Sequence, residues 1–185
     1  MPYLFPSGQS AETVVAKLAA AGWRGEIVGP HGTGKSSLLA ALVPVLEQQG
    51  RRVLILTLHD RQRRLPVDLR SAGLDADSIV IVDGYEQLSW WNRWGLKRFC
   101  NRRRLGLLVT SHRATGLPTL LRTEMTGELA RKVVAAMLGS QSALIAPAEI
   151  DAALARRHGN LREALFDLYD VYARRSERRN NLDES

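Results

Sequence analysis

The 185-residue chain is poor in several residue types that often announce a function. Its single cysteine, Cys100, rules out an intramolecular disulfide framework and a cysteine-rich zinc site, and suits a reducing compartment. No apolar run nears the ~18 residues needed to cross a bilayer, and stretches such as Ile79 to Val82 are only a few residues long. Met1 to Ser10 lacks a basic start followed by an apolar segment, so a cytoplasmic location is expected. Lysine is scarce, since 4 of the 26 basic residues are lysine and the remaining 26 − 4 = 22 are arginine. With 19 acidic residues the net charge is +7, which suits a polyanion such as nucleic acid as a partner. The even scatter of the arginines fits a compositional bias equally well.

What is present is the composition of a folded domain, 45% hydrophobic and 24% charged. Ser10 is placed to cap a helix running to Ala21, with Gly22 as its stop. A strand is expected from Gly25 to Gly29, then a glycine-rich turn. A helix from Gly34 to Gln49 follows, with Leu38, Leu39, Leu42, Val45 and Leu46 on one side and Pro44 as a site for a kink. Arg52 to Leu58, Ser78 to Val82 and Leu105 to Thr110 are near-continuous apolar runs, read as strands buried on both faces of a parallel sheet. Thr119 to Glu124 supplies a weaker fifth strand. This alternation predicts an α/β core of three layers with about five parallel strands. From Thr126 the pattern is helical only: Gly127 to Leu138, Pro147 to Arg157 and Leu161 to Arg174. The expected organisation is a core over residues 1–125, a small helical subdomain over 126–175 and a disordered tail over 176–185.

Gly29-Pro30-His31-Gly32-Thr33-Gly34-Lys35-Ser36 matches G-x-x-x-x-G-K-[ST] without a gap, between an apolar strand and an amphipathic helix. Glycines let consecutive backbone N–H groups face phosphate oxygens, Lys35 reaches the outer phosphates, and the Ser36 hydroxyl ligates magnesium. Ser37 extends the same cradle at the positive end of the helix. This is a P-loop nucleotide site with ATP or ADP and Mg2+ as its expected ligands; no Asn/Thr-Lys-x-Asp motif specifies GTP. Asp83, ending the run Ser78 to Val82, is the carboxylate expected to share the metal with Ser36. It would otherwise simply open the turn at Gly84. Hydrolysis also needs a group that orients or deprotonates water. Glu86 is the nearest carboxylate and Asp60 its competitor, while a solvated helix start is the plain reading of Glu86. Thr110, Ser111 and His112 end the next strand, where side chains reach a γ-phosphate or merely line a turn.

Together these pieces resemble the AAA+ and related additional-strand P-loop ATPases, over roughly Ile27 to Arg174. The resemblance implies that Gly29 to Ser36 is the Walker A loop, Ile79 to Asp83 the Walker B strand, and Thr110 or Ser111 the first sensor. It also implies that Gly159 to Ala164 opens a lid helix in which Arg162 touches the γ-phosphate. Two departures stand out. The family usually carries glutamate directly after the Walker B aspartate, where this chain has Gly84. The segment from Thr110 to Thr119 is short for the helix bearing a trans-acting arginine, leaving Arg113 and Arg122 as candidates. The Ser111-His112 strand is also similar to that of ABC ATPases, but their Leu-Ser-Gly-Gly-Gln signature is absent.

Trp90, Trp91 and Trp94 have helical spacing. Either they face the core, or, if exposed, they form a partner surface or base-stacking platform beside Arg93, Lys97, Arg98, Arg102, Arg103 and Arg104. That basic helix is the expected contact for nucleic acid or an acidic protein. Three functions follow: an ATPase coupling nucleotide state to lid movement and partner binding, with oligomerisation an option; a small phosphotransferase with Arg61 to Arg64 over a second substrate; and a weakly hydrolysing switch or scaffold, motivated by Gly84.

Overall fold

The computed structural model describes residues 3–6 and 8–183, apart from the side chains of 140 and 178–183. Two compact units emerge, one formed by residues 3–29 and 34–123, the other by residues 30–33 and 124–183.

In the first unit, α1 (Ala11–Ala20) is capped as its sequence implies. Ser10 Oγ accepts the Thr13 N–H, and Thr13 Oγ1 accepts the Ser10 N–H in return. The elements β1 (Arg24–Val28), α2 (Lys35–Gln48), β2 (Arg52–Thr57), β3 (Ser78–Asp83), α3 (Trp90–Arg103), β4 (Gly106–Ser111) and β5 (Thr119–Arg122) follow. The five strands form one all-parallel sheet in the order β2-β3-β4-β1-β5. β4 therefore stands between β1, which leads into the phosphate loop, and β3, which ends in Asp83. Alternate side chains serve opposite faces, as a pleated strand requires. Ile79 and Ile81 pack with α1 and α2, while Val80 and Val82 pack with Leu96 and Cys100 of α3. Pro44 sits on the exposed side of α2, where water can satisfy the carbonyl it leaves unpaired.

β2 differs from the expectation of burial on both faces. It is the sheet edge, with no further strand beside it among the described residues, and Ile55 is exposed.

In the second unit, α4 (Gly127–Leu138), α5 (Pro147–Arg156) and α6 (Leu161–Asp183) surround an apolar cluster that includes Ala130, Val134, Ile150, Ala153, Leu161, Ala164 and Leu168. Arg131 with Asp151, Arg157 with Asp167 and Arg175 with Glu149 pin the helices at their rims. The tail expected to be disordered from residue 176 is instead helical through Asp183, while 184–185 lie outside the described residues. Glu, Arg and Leu are good helix formers, and nothing in that stretch breaks a helix already begun. Among the described residues no helix is long and apolar enough to cross a membrane.

Candidate functional site

The parallel register brings the C-terminal ends of β1, β3 and β4 to one edge, since Val82 pairs with Val109 and Val28 with Ser111. Ligand crevices form at such an edge. β1 passes into the loop through buried Gly29. Gly34 is the N-cap of α2 at φ +85°, a left-handed conformation that glycine adopts without strain. Thr33 Oγ1 donates to the Pro30 carbonyl at 2.9 Å and closes the loop tip, with Pro30 and His31 exposed. Gly32 has φ +70°, and a Cβ there would fall 1.8 Å from Asn160 Oδ1. Both residues belong to the unit formed by 30–33 and 124–183. Asn160 Oδ1 also accepts the Glu163 N–H at 3.4 Å, so the same side chain caps α6.

Lys35 opens α2 and turns back, its Nζ donating to the Gly29 carbonyl at 2.6 Å. Burial pulls its pKa below the ordinary lysine value, against the opposing pull of Glu86 first and Asp83 second. A partly desolvated ammonium thus lies in the field of both carboxylates. Ser36 and Ser37 follow on the exposed first turn of α2.

Asp83 Oδ1 accepts the Thr110 hydroxyl at 2.5 Å, and Thr110 Oγ1 accepts the Gly84 N–H at 3.0 Å. Buried Thr110 thereby ties the end of β3 to β4. Ser111 is buried too, but its hydroxyl donates to the Arg113 carbonyl at 2.7 Å and so serves the turn. His112 Nε2 lies 3.1 Å from Glu86 Oε1, while Glu86 Oε2 is buried with no hydrogen-bond partner among the described residues. Glu86 sits in a single 3-10 turn, Tyr85–Gln87, that leads into α3. Asp60 accepts from Gln87 Nε2 at 3.3 Å and is exposed, unlike Glu86.

Gly84, at the position where the resembled family carries glutamate, has φ +83°. A Cβ there would stand 2.8 Å from the Leu58 carbonyl oxygen, so backbone excludes any side chain. Arg162 is exposed in the first turn of α6, and Arg113 and Arg122 are also exposed.

The tryptophans correct the core-facing reading, because Trp90, Trp91 and Trp94 are all exposed. The residues of α3 that do face inward are Leu96 and Cys100. The cations of this helix also divide. Arg93 is turned inward, its Nε donating to the Leu88 carbonyl at 2.8 Å and its guanidinium also bonding the Glu86 carbonyl. Lys97 Nζ donates to the Thr115 carbonyl at 2.8 Å, with burial lowering its pKa. Arg98, Arg102, Arg103 and Arg104 are exposed.

Glu26 was missed in the sequence. It is a fully buried carboxylate in β1 that accepts the Thr115 N–H and hydroxyl, each at 2.7 Å, and the Thr119 hydroxyl at 3.0 Å. It anchors the segment that follows His112. The one available signal was a lone charge inside the apolar run of β1.

No family model and no curated protein sequence matches this chain. Solved structures do. A DNA replication initiation factor aligns over 92% of this chain and 63% of its own, with TM-score 0.57 and 18% identity. The Thermotoga maritima RuvB Holliday junction branch migration motor aligns over 89% and 66%, with TM-score 0.55 and 15% identity. AMPPCP-bound DnaA from Aquifex aeolicus aligns over 96% and 68%, with TM-score 0.58 and 17% identity. The chain spans about two thirds of the length of these structures. The five-stranded parallel sheet with flanking helices is the fold this chain shares with these structures.

Proposed function

We propose that this chain binds ATP at Gly29 to Ser37 and hydrolyses it to ADP and phosphate. The observation that carries this reading is the placement of Lys35 at the loop in the field of Glu86 and Asp83. The neighbour holding the ATP analogue AMPPCP supports it at the level of fold. Lys35 holds the outer phosphates, moving from the Gly29 carbonyl to a stronger anionic acceptor. The Ser36 hydroxyl and the Asp83 carboxylate are hard oxygen donors of the kind magnesium takes, and they would hold it. The ion, when bound, neutralises charge on the transferring phosphate. Glu86 orients and deprotonates the attacking water, and Thr110 keeps Asp83 in place. Because Gly84 leaves the usual glutamate position empty, turnover is expected to be slow. The loop tip packs in one unit with the helices of residues 124–183, a route by which an occupied loop acts on them. Arg162 is the lid arginine on the resemblance alone.

Steady-state phosphate release and nucleotide binding, compared for wild type, Lys35→Ala and Glu86→Gln, test the proposal. Lys35→Ala should lose binding and turnover together, and Glu86→Gln should keep binding and lose turnover. Wild type that binds no ATP would overturn the reading, and unchanged turnover in Glu86→Gln would remove Glu86 from its role.

A second reading is favoured by the cavity of about 620 Å³ lined by Arg61, Arg63, Glu86, Gln87, Leu88 and Ser89. Its two arginines beside Glu86 suit an anionic phosphate acceptor. Phosphate release that needs no added acceptor would decide against a phosphotransferase.

A further inference from the structure

Trp90, Trp91 and Trp94 are 65%, 72% and 54% exposed, although large aromatic side chains have the most to gain from burial. Trp90, Trp94, Arg98 and Arg102 follow one i, i+4 row along α3, and Trp91 flanks it. Beside them Gly95 has open space where a Cβ would stand, which leaves the face unobstructed. Trp90 and Trp91 meet edge to face with ring centroids 4.4 Å apart, and the Arg98 guanidinium lies 5.4 Å over the Trp94 ring. Neither α3 nor its C-cap Arg104 brings an acidic residue. The opposite side of the helix is committed to the core through Leu96 and Cys100, and to the backbone through Arg93 and Lys97.

We propose that this outer face of α3 binds single-stranded nucleic acid, with bases stacked on Trp91 and Trp94 and phosphates paired with Arg98 and Arg102. From Trp90 to Arg102 the row is about 18 Å long at the helical rise, enough for a short stretch of strand. Tryptophan rings meet the open π-face of an unpaired base, a face that stacking hides in a duplex. The rings occupy the N-terminal half of the face and Arg98 and Arg102 the C-terminal half, so a strand laid along it meets stacking surfaces at one end and phosphate partners at the other. An acidic peptide would engage the arginines and leave the rings without partners. The inference rests on α3 alone and is independent of the ATP reading.

The test uses the full chain without nucleotide. A labelled oligothymidylate of about twelve nucleotides is followed by anisotropy and by tryptophan fluorescence at low salt, with a duplex of equal length and polyglutamate as comparators. Binding with quenched tryptophan emission is expected. The Trp91→Ala/Trp94→Ala variant should weaken it by about tenfold or more per stacked base. Trp91→Phe/Trp94→Phe keeps aromatic faces and should retain most of the affinity. Arg98→Ala should weaken binding and reduce the salt slope by about 0.7. Absence of quenching in wild type, equal affinity for duplex or polyglutamate, or unchanged affinity in the alanine variant would each overturn the proposal. Nucleotide is absent throughout, so failure here leaves ATP binding to be judged by Lys35→Ala.

Discussion

His112 Nε2 lies 3.1 Å from Glu86 Oε1, joining the residue after β4 to the turn after β3. The contact holds one carboxylate oxygen while the other stays buried without a hydrogen bond among the described residues. A carboxylate held this way is aimed rather than solvated. Glu86→Gln is therefore expected to reduce turnover by about 10²-fold or more, the scale of a lost general base. His112→Ala should cost about tenfold by releasing the same group, and the two losses should not add in the double variant, as for residues acting as a unit. Turnover rates of the four proteins in a double-mutant cycle check this. Additive losses would separate His112 from Glu86.

Gly84 offers a sharper test of how this site departs from the family it resembles. Restoring glutamate there puts a side chain at φ +83° and a Cβ 2.8 Å from the Leu58 carbonyl oxygen. Backbone cannot move aside as a flexible side chain can, and a left-handed residue adds its own strain of about 1–3 kcal/mol. Gly84→Glu should lower the thermal midpoint by several degrees and fail to raise turnover. Faster hydrolysis at unchanged stability would mean that the turn after Asp83 can rearrange.

The fold was legible because its signals are local. Apolar runs marked β3 and β4, leucines at helical spacing marked α2, and the loop motif fixed what lies between β1 and α2. The partners of Glu86 and Glu26 were not legible, since His112 is 26 residues from the first and Thr115 is 89 from the second. Such pairings depend on the sheet register, which brings distant segments together. The tryptophans misled the core reading because spacing shows that residues share a helix face but not which face is buried. That choice belongs to Leu96 and Cys100, a smaller apolar pair with flanking side chains tied to backbone. The end of α6 was missed because a polar stretch without a core-facing stripe resembles a tail even where it continues a helix.

Arg162 stands two residues after the Asn160 cap, exposed in the first turn of α6. If it senses the γ-phosphate, Arg162→Ala should slow ATP turnover while leaving ADP affinity within about twofold, because only ATP carries the group it meets. Titration with both nucleotides separates the cases. Equal losses for ATP and ADP would sink the sensor role.

Glu26 makes the acid limb of stability predictable. Burial raises its pKa, but hydrogen bonds from Thr115, Thr119 and the Leu117 backbone outweigh that and hold it below its ordinary value of 4.5. A carboxyl with a lowered folded pKa stabilises the protein above its unfolded pKa, and that stability is lost as pH falls through the folded value. Wild type should therefore unfold more readily as pH drops below 4.5. Glu26→Gln removes the charge and turns an amide donor toward the Thr115 donors, at a cost of about 1–3 kcal/mol near neutral pH. The gap between the two proteins should narrow on acidification, as protonation takes from wild type what the substitution has already removed. Thermal midpoints across the acid range measure that gap, and a constant difference would show that Glu26 acts through packing rather than through its charge.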